Sequence, residues 1–541
     1  MHKQLLQAAA VIGTSVPSSL LRAIVELPDE TLRQGVAQLQ SAEYLHETDL
    51  FPEPEYVFKH ALTHEVVYGS LLRERRRTLH ARIMEATERL YWDRIAEHVE
   101  QLSHHSLNGE VWDKAVAYSY QAGAKAAAKS AHREAVARLT GALAAIERLP
   151  QSGAVREQAF DLRFSLRTSL SALGDFQRSF ELLQEAEAIA RTLNDQTRLA
   201  RVFTFKALYF WSIGQQDRAI EASEQAWAVA QPVGEAPAQV LAKLFAGRAR
   251  HARGDYAQAI ELLNWVIGAT DGDRANFLGM ANLPSVSART WLSWSLAERG
   301  EFGLAIARGD EGVYIAEAVD HLVSRIYAYM ALGIVHLRKG NFDLAIQRLE
   351  RAYQMSERAD LRMARTTVAG YLGRAYTLSN QAARAIEILN EAVAAATGME
   401  LMVDQAMRLV HLGEAYLQIG EVEKATRVAD LALKTSLDYY QHGAGAWTQW
   451  LLGEINMRAD NLEAADGHYR KAMAMASELG MAPLVAHCHF GLGKRHGRAS
   501  KHEQSREHLV AAAGLYRTLE MPSWIREIEV TLQRLQVSLQ P

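Results

Sequence analysis

The sequence LGIVHLRKGNFDLAIQRLERA, residues 332–352, contains a pattern that recurs along the chain. A Leu-Gly pair opens the pattern, a turn residue follows seven positions after the glycine, and a small residue follows five positions later. The pair returns every 40 residues, and its glycine is Gly333, Gly373, Gly413, Gly453 and Gly493. A fixed period of this length predicts a solenoid of stacked supersecondary units.

Each unit reads as two amphipathic helices joined by a tight turn. Gly and Asn tolerate the left-handed backbone that ends a helix, and Asp and Ser can cap the helix that follows. The residues at the turn position are Gly340, Asn380, Gly420, Asp460 and Ser500.

The glycine of the Leu-Gly pair needs a compensating interaction, because a glycine inside a helix costs about 1 kcal/mol relative to alanine. We expect the two helix backbones to approach closely between this glycine and the small residue twelve positions later. These small residues are Ala345, Ala385, Ala425, Ala465 and Ser505. One turn further on, the inward stripe is predicted to contain Leu349, Leu389, Ala429, Tyr469 and Leu509.

The same register extends toward the N-terminus, with turn residues at Gly174, Gly214, Gly254 and Gly300. One more unit fits around Gly123, Ser130, Ala135 and Leu139. The step from Gly254 to Gly300 is 46 residues, which predicts an insertion of about six residues at 270–273 or at 282–284. The resulting organisation is an N-terminal unit over residues 1–95, a linker helix over 96–112, about ten repeats over 113–520, and a capping helix over 521–541.

Two units carry the most specific spacing, Leu372-Gly373-Tyr376-Ala385 and Leu412-Gly413-Tyr416-Ala425. This spacing resembles the tetratricopeptide repeat, whose period is about 34 residues. The longer period of this chain predicts longer helices. The resemblance implies an all-α, right-handed helical solenoid in which the first helices of successive repeats line a concave groove.

The first 95 residues do not follow the repeat. Apolar periodicity predicts helices over residues 4–12, 16–27 and 28–40. Short apolar and aromatic segments at 44–46 and 56–58 predict two strands joined by a turn over 50–55. A long helix is predicted from residue 60 to about 91. Three helices and one β-hairpin indicate a small winged-helix-like unit.

The segment FKHALTHEVVYGSLLRERRRTLH, residues 58–80, follows LLQAAAVIG at 5–13. Together they resemble the winged-helix segment of bacterial signal-transduction ATPases of the STAND type. The matching residues are Phe58, Lys59, His60, Ala61, Leu62, Tyr68, Leu71, Leu72, Arg76 and His80. Many members of that family also carry a class III adenylate or guanylate cyclase domain and tetratricopeptide repeats. The resemblance implies the sensor half of such a signalling protein.

The chemistry of that family has no counterpart in this sequence. A P-loop requires G-x-x-x-x-G-K-[ST], and the nearest fragment, GLGKR at 491–495, has the wrong spacing and lies on a predicted repeat helix. The aspartates of a cyclase have no recognisable context. In the family an ATPase module precedes the winged-helix segment, whereas this sequence begins inside the first helix of that segment. We expect no catalytic activity and no cofactor, and a truncated reading frame, a degraded paralogue and a stand-alone subunit all stay open.

Composition restricts the partners. The 541 residues are 49% hydrophobic and carry a net charge of −4, which argues against a generic nucleic-acid surface. Cys488 is the single cysteine, so an intrachain disulfide and a cysteine-based zinc cage are excluded. No apolar run is long enough to span a membrane, and the N-terminus reads as a helix and not as a signal peptide. A cytoplasmic location is expected.

Histidine, arginine and nucleophile patterns give no strong site. His60 and His64 lie four residues apart beside Glu65, but the H-E-x-x-H pattern is not met, so we expect a packed or hydrogen-bonded helix face. His104 and His105, read as a loop pair, show no ligand spacing. The sequence contains no G-x-S-x-G and no catalytic Cys/His context.

A basic run follows the hairpin, at Arg73, Arg75, Arg76 and Arg77. In a DNA-binding winged helix the contacts come from the recognition helix. The equivalent third helix offers only Arg33. Contact with an ATPase domain or its nucleotide, or a solvated face, is favoured over DNA binding.

The concave groove is the main candidate for function, because aromatic residues and arginines are enriched at binding hot spots. Packing between helices is the alternative interpretation for the tryptophans, and plain solvation for the charges. In register, the groove positions are Trp211, Arg248, His251, Trp294, Arg374, Glu414, Trp447, Trp450, Glu454, Lys494 and Arg498.

Three functional hypotheses follow. The first is a non-catalytic interaction or sensor module that binds a protein or peptide in the groove, with an ATPase or cyclase module in cis or in trans. The second is a fragment of a multidomain cyclase or ATPase. The third is a relative of large ATP-dependent transcription regulators, which is ranked last because no terminal helix-turn-helix domain is recognisable.

Overall fold

The computed structural model describes residues 2–48, 54–129, 131–276, 278 and 280–538. It confirms the predicted fold class, an all-α, tetratricopeptide-like solenoid with a small N-terminal β-sheet. The chain divides into two compact units, Met1–Leu170 and Ser171–Pro541. None of the helices in the described ranges is both long enough and apolar enough to cross a membrane.

The first unit begins with helices and strands in alternation. The helices before the repeats are α1 (His2–Ile12), α2 (Ser18–Val25), α3 (Asp29–Ser41), α4 (Ala61–Gly69), α5 (Arg73–Leu90) and α6 (Val99–Asn108), with a short 3-10 turn at Ile95–Glu97. The strands are β1 (Ser15–Pro17), β2 (Leu45–Thr48) and β3 (Glu55–Phe58). Three longer helices follow, α7 (Trp112–Ala128), α8 (His132–Ile146) and α9 (Gly153–Leu173).

The predicted hairpin is present and has a third strand. β2 pairs antiparallel with β3, and Leu45 lies opposite Phe58. β1 pairs with the other edge of β3, with Val16 opposite Tyr56. Residues 15–17 were expected to open the second helix. They are extended instead because β3 offers them a second hydrogen-bonding edge. Residues 50–53 of the predicted turn, and Ser130 of the first predicted repeat, lie outside the described residues.

The long helix predicted over 60–91 is two helices. α4 ends at Gly69, and Leu72 is extended, with φ −61° and ψ 147°, before α5 begins at Arg73. The break lets Leu71 enter the apolar core that α1, α2, α3 and the sheet share. Leu20 and Ile83 are fully buried in the same core.

The histidine and arginine patterns of this unit have local partners. The Nε2 atom of His64 lies 2.9 Å from the carbonyl oxygen of Ala10, which confirms a hydrogen-bonded helix face. Arg73 and Arg77 both donate to Glu110, at 3.1 Å and 3.3 Å. Part of the basic run is therefore neutralised within the unit. His104 and His105 were placed in a loop by sequence, but both lie on α6.

The second unit is a run of helices of nearly equal length. They are α10 (Phe176–Thr192), α11 (Gln196–Ser212), α12 (Gln216–Ala230), α13 (Ala236–Arg253), α14 (Tyr256–Thr270), α15 (Pro284–Arg299), α16 (Phe302–Ala318), α17 (Leu322–Lys339), α18 (Phe342–Arg358), α19 (Arg362–Leu378), α20 (Ala382–Gly398), α21 (Gln405–Gln418), α22 (Val422–Asp438), α23 (His442–Arg458), α24 (Leu462–Glu478), α25 (Ala482–Arg498), α26 (His502–Thr518) and α27 (Pro522–Ser538). From α11 to α26 they pack as consecutive antiparallel pairs.

The helix length explains the period of 40 residues. Most of these helices have 17 residues, and short turns separate them, so two helices and two turns fill one repeat. The extra residues predicted between Gly254 and Gly300 lie in the connection from α14 to α15, where both proposed insertion points fall.

Every turn of the regular repeats contains at least one residue in the left-handed region. The left-handed residues at the predicted turn positions include Asp460 and Ser500, with φ of 59° and 56°. These two therefore do not cap the next helix as expected. Asn461 takes that role, because its side chain accepts from the backbone N–H of Ala464. A second series, between repeats, falls at Asp320, Asp360, Glu400, Tyr440, Gly480 and Glu520. Only one of these is glycine, so the spacing of glycines did not predict this second series.

The glycine of the Leu-Gly pair accommodates a side chain of the partner helix. A Cβ atom at Gly333 would lie 2.5 Å from Cγ of Leu349, and the small residue Ala345 is fully buried nearby. Gly453 has the same relation to Tyr469 at 2.6 Å. Thus the residue sixteen positions later, and not the small residue at twelve, is what the glycine contacts.

The repeat around Gly413 shows why the large residue matters. Its residue at plus sixteen is Ala429, which is too small to reach the glycine. Leu451 from the next repeat fills the space, and a Cβ atom at Gly413 would lie 2.7 Å from its Cδ2.

We predict that Gly333→Ala destabilises the protein by about 1–3 kcal/mol, because the added methyl group overpacks against the buried Leu349. The helix-propensity gain of about 1 kcal/mol offsets only part of this cost. The midpoint of urea unfolding measures the effect.

The matched control is Gly467→Ala on α24, where an added Cβ atom meets nothing within 4 Å. That variant should be stabilised by about 0.5–1 kcal/mol through helix propensity alone. Equal midpoint shifts in the two variants would contradict the packing argument.

Candidate binding cavity

The first helices of the pairs form the interior of the second unit. These are α11, α13, α15, α17, α19, α21, α23 and α25, and each contacts the next one in this series. Contacts also form between first helices five pairs apart, from α13 to α23 and from α15 to α25. The interior between these helices is therefore filled by their own side chains.

The turns of early repeats pack against later repeats in the same way. Gly214 lies against Tyr439, and Gly254 lies against Leu479, in each case 225 positions along the chain. The hydroxyl of Ser523 donates to the carbonyl oxygen of Gly340 at 2.6 Å. These contacts fix α27 against the turn between α17 and α18.

Most of the predicted groove positions are consequently buried. A position on the concave face stays open only if no other helix packs against it. Here, first helices five pairs apart contact each other across the interior. The buried residues are Trp211, Arg248, His251, Trp294, Arg374, Glu414 and Trp447. For the three tryptophans, the alternative interpretation of packing between helices describes what the structure shows. The other four are buried too, so neither an open groove nor plain solvation describes them.

Glu298 lies at the centre of this buried interior. Its carboxylate accepts from Nε of Arg338 at 2.8 Å, from Nε1 of Trp294 at 3.3 Å and from Nε1 of Trp447 at 3.4 Å. Glu298 and Arg338 side chains are only 4% and 2% exposed. A buried ion pair needs further hydrogen bonds to its atoms, and the two indole N–H groups supply them to the carboxylate. Within the described residues, Nη1 and Nη2 of Arg338 have no hydrogen-bond partner.

A second buried ion pair lies beside the first. Nη2 of Arg374 donates to Glu414 at 3.1 Å, and Nε of Arg374 lies 2.9 Å from the other carboxylate oxygen as an ion-pair contact. The guanidinium groups of Arg338 and Arg374 lie 4.6 Å and 4.4 Å from the centre of the Trp447 ring. Cation–π attraction of this kind is strengthened by removal from water, so Trp447 joins the two pairs into one cluster.

The N-terminal part of the interior is aromatic. Arg248 lies 3.8 Å from the centre of the Trp211 ring, and Trp291 stacks on Trp294 at 4.9 Å. His251 packs edge-on against Trp294, and its Nδ1 atom lies 2.8 Å from the hydroxyl of Ser295. Burial lowers the pKa of His251 to about 4, so this ring is neutral at pH 7.

The remaining predicted groove positions line an open cavity near the C-terminal end of the second unit. Trp450, Glu454 and Lys494 are half-buried there, Arg498 is exposed, and the buried Glu414 borders the same space. The cavity has a volume of about 1000 Å³. Its walls come from the four first helices α19, α21, α23 and α25, and from α26 and α27.

The polar side of the cavity is organised around Glu454. Its carboxylate accepts from the hydroxyl of Tyr469 at 2.6 Å and from Nζ of Lys494 at 3.2 Å. Arg498 donates to the backbone carbonyl of Met457 at 2.6 Å. The charged groups are thus held in place by the wall of the cavity before any partner arrives.

The apolar side is aromatic and contains an unused donor. Trp450, Phe490 and Trp524 all border the cavity. Within the described part of the chain, the buried indole N–H of Trp450 has no hydrogen-bond acceptor. A buried donor without a partner costs about 1–3 kcal/mol, and a carbonyl oxygen of a bound molecule would satisfy it.

His487 connects the cavity to the buried cluster. Its ring lies 4.5 Å from that of Trp524 and 5.7 Å from that of Trp447, and its Nδ1 atom lies 2.8 Å from the hydroxyl of Tyr516. Burial lowers the pKa of His487 to about 3, so the ring is neutral at pH 7.

Sequence reasoning missed several residues of this cavity. Trp524 lies on α27, outside the repeat register, and the groove positions chosen within the repeats exclude Phe490 and His487. Phe490 on α25 and Trp524 on α27 were visible in the sequence, but nothing local placed α27 over α25. GLGKR at 491–495 lies on α25, as predicted, and its two glycines contact Tyr469 and Leu509.

Comparisons with known proteins agree with this architecture. The family model of the tetratricopeptide repeat matches residues 292–398. A stretch of 136 residues is 29% identical to an uncharacterized protein of Rhizobium meliloti (strain 1021), and the match covers 25% of this chain and 13% of that protein. The chain therefore spans only a small part of the length of this relative.

Two solved structures show the same fold. One is a Rap protein complexed with Competence and Sporulation Factor, with a TM-score of 0.52, 14% identity, and coverage of 68% of this chain and 99% of that chain. The other is the APC/C hetero-tetramer Cut9–Hcn1, with a TM-score of 0.50, 12% identity, and coverage of 97% and 96%. A STAND protein with a tetratricopeptide repeat sensor from Pyrococcus horikoshii reaches a TM-score of only 0.34, with 10% identity over 88% of this chain and 63% of that chain. The chain contains a tetratricopeptide-repeat region.

We predict that Glu298→Gln destabilises the protein by about 3–5 kcal/mol, because Arg338 is left as a buried charge without its counter-ion. Adding Arg338→Met should recover part of this loss, since the double variant removes both charges. Urea unfolding followed by circular dichroism measures both changes.

The control for the buried pair is Arg178→Met, which removes the half-exposed partner of Glu181. That change should cost no more than about 1 kcal/mol. A Glu298→Gln midpoint no lower than that of Arg178→Met would contradict a central role for the pair.

We also predict that acid destabilises the fold through its buried histidines. The folded-state pKa of His251, about 4, is below its ordinary value of 6.5. The unfolded chain therefore binds more protons between these values, so the stabilisation is complete above pH 6.5 and is lost as the pH falls toward 4. At pH 4.5 the loss from this one group is about 2–3 kcal/mol.

Thermal unfolding between pH 7.5 and 4.5 tests this expectation. His251→Gln should flatten the decrease of Tm with acidification, whereas His442→Gln, at an exposed position, should leave the slope as it is. An unchanged slope in His251→Gln would contradict a contribution of His251 to the acid sensitivity.

Proposed function

We propose that the second unit is a non-catalytic module that binds an extended segment of a protein partner in the cavity bordered by Trp450, Lys494 and Trp524. The tetratricopeptide-like fold is one of stacked helices that present surfaces to proteins. The cavity, with its aromatic wall and its unused indole N–H, is the observation on which the proposal rests.

The chemistry of the cavity suits a peptide backbone. The indole N–H of Trp450 can donate to a backbone carbonyl of the segment, which satisfies the donor that the protein leaves unpaired. An apolar side chain of the segment would fit between the rings of Phe490 and Trp524. Aromatic residues of this kind contribute much of the binding energy of protein interfaces.

The charged groups of the cavity set which segments fit. The Glu454–Lys494 pair and Arg498 lie on the polar side, and their fixed positions reduce the entropy lost on binding. Polar rims of this kind contribute to specificity more than to affinity. The partner is therefore expected to carry both an apolar anchor and flanking polar groups.

The proposed module belongs to a signalling system. The resemblance of residues 58–80 to the winged-helix segment of STAND-type ATPases supports a proposal that the module senses or transmits signals for such an ATPase or an adenylate cyclase, in cis or in trans. In this proposal residues 1–95 are winged-helix-like, residues 96–112 are a linker helix, residues 113–520 are the repeats, and residues 521–541 cap them.

Trp450→Ala is expected to weaken binding of peptides selected against the full chain from a displayed library by about 30-fold or more, the loss typical of a hot-spot aromatic residue. Fluorescence anisotropy with labelled peptides measures the affinity, and circular dichroism confirms that the variant is folded.

The matched control is Trp92→Ala, a tryptophan of the first unit that is 76% exposed. Selected peptides that bind Trp450→Ala as tightly as they bind the unchanged chain would refute the cavity as the site.

A photo-crosslinking amino acid at Gln418, inside the cavity, identifies the partner in cells, and the same group at Leu431, which is 50% exposed on α22, serves as the control. A P-loop ATPase or a cyclase crosslinked at Gln418 alone supports the signalling context. A different class of partner at that position contradicts this context and leaves the binding site in place.

A further inference from the structure

Three histidines of the first unit come together on two neighbouring helices. His80 lies on α5, and His104 and His105 lie on α6, which packs against α5. One nitrogen atom from each ring can be chosen so that all three lie within 4.8 Å of one another. We propose that this His80–His104–His105 cluster is a site for a divalent transition-metal ion of the zinc class.

The closest contact in the cluster is between two like atoms. Nδ1 of His80 and Nδ1 of His105 lie 2.8 Å apart, and both side chains are buried. Two nitrogen lone pairs at this distance repel unless a proton or a cation lies between them. The proton assignment of each ring therefore decides what the cluster can hold.

The hydrogen bond of His105 with Ile12 determines which ring nitrogen of His105 carries the proton. His105 forms this bond with the backbone of Ile12, and we assign it to Nε2 because Nδ1 faces His80. That bond favours the protonated ring, so the Ile12 group is the carbonyl oxygen, which can only accept. The proton of neutral His105 is then on Nε2, and the lone pair of its Nδ1 atom points into the cluster.

The neutral ring of His80 can carry its proton on either Nδ1 or Nε2. Its Nε2 atom lies 3.1 Å from the hydroxyl of Tyr68. When Tyr68 donates, His80 carries its proton on Nδ1 and donates to His105, which is a stable arrangement without metal. When Tyr68 accepts, both Nδ1 atoms present lone pairs to the cluster, and a metal ion takes the place of the shared proton.

This second arrangement has the usual construction of a histidine metal site. Metal-binding histidines donate their other ring N–H to a carbonyl, a hydroxyl or a carboxylate, which orients the ring. Tyr68 and the Ile12 carbonyl are those acceptors here. Nitrogen ligands about 2.0–2.1 Å from zinc lie about 3.3 Å apart in a tetrahedron, so binding requires the two Nδ1 atoms to separate by about 0.5 Å.

His104 supplies the third ligand and access from solvent. Its side chain is exposed, whereas the other two are buried. Three imidazole ligands with one open position select Zn²⁺, Co²⁺, Ni²⁺ or Cu²⁺ over the oxygen-seeking Ca²⁺ and Mg²⁺. A metal ion bound there would link α5 to α6 and, through Ile12 and Tyr68, would hold α1 and α4 in place.

Titration of the metal-free, untagged full chain with Co²⁺ tests the proposal. We expect one Co²⁺ per chain, with the intense visible absorption of a four-coordinate site, displacement by Zn²⁺, and an upward shift of Tm on Zn²⁺ addition. His104→Gln, at an exposed position, should weaken binding by at least about tenfold. Tyr68→Phe should weaken it by about 10–100-fold, the effect typical of an outer partner.

His508→Gln is the matched control, because His508 contacts His489 at 2.9 Å in a second histidine pair in the other unit. Its Co²⁺ affinity should equal that of the unchanged chain. Absence of stoichiometric binding, an unchanged affinity in His104→Gln, or loss of the signal in His508→Gln alone would each overturn the proposal. Circular dichroism of every variant separates lost ligands from lost folding.

Discussion

The packing of one large side chain onto a helical glycine is the contact on which the rest of the second unit depends. Gly333 and Leu349 show it within one repeat. Because the glycine lacks a Cβ atom, the partner helix can approach closely, and the leucine fixes where along the helix it does so. Most of the regular repeats make this contact, which gives them a similar geometry, and the sequence pattern accordingly recurs at intervals of 40 residues.

A regular solenoid brings distant repeats together after enough units, and in this chain they meet. First helices five pairs apart are in contact, so residues on the inner face are packed and not open to solvent. The interior accommodates charge by pairing it: Glu298 with Arg338, and Arg374 with Glu414, around the ring of Trp447. Such a pair contributes little net stability, but removing one member is costly because the other charge is then buried without a partner. The pairs also restrict which helices can meet.

Space for a partner remains where the interior is not crossed by a later helix. The cavity beside Trp450 lies near the end of the repeats, with α27 on one side. Its polar groups are already hydrogen-bonded to the wall, and one indole N–H is not. In the first unit the balance is different, because three histidines share a small volume whose protons are directed by Tyr68 and Ile12. Each unit thus has a proposed site whose groups are oriented by its own fold.

The sequence alone determined the features that arise within one repeat. The period, the left-handed turn at Gly340, the burial of Ala345 and the β2–β3 hairpin all follow from neighbours within about 40 residues, and all are present. The break between α4 and α5 was missed, since residues 60–91 were predicted to form one continuous helix.

Only the tertiary structure decided which inner positions are open. Trp447 and Trp450 are three residues apart and share a helix, yet one is buried in the ion-pair cluster and the other borders the cavity. The difference depends on Glu298, which lies 149 residues before Trp447. Contacts at that separation arise from small rotations that accumulate over several repeats, and no local pattern of residues encodes their sum.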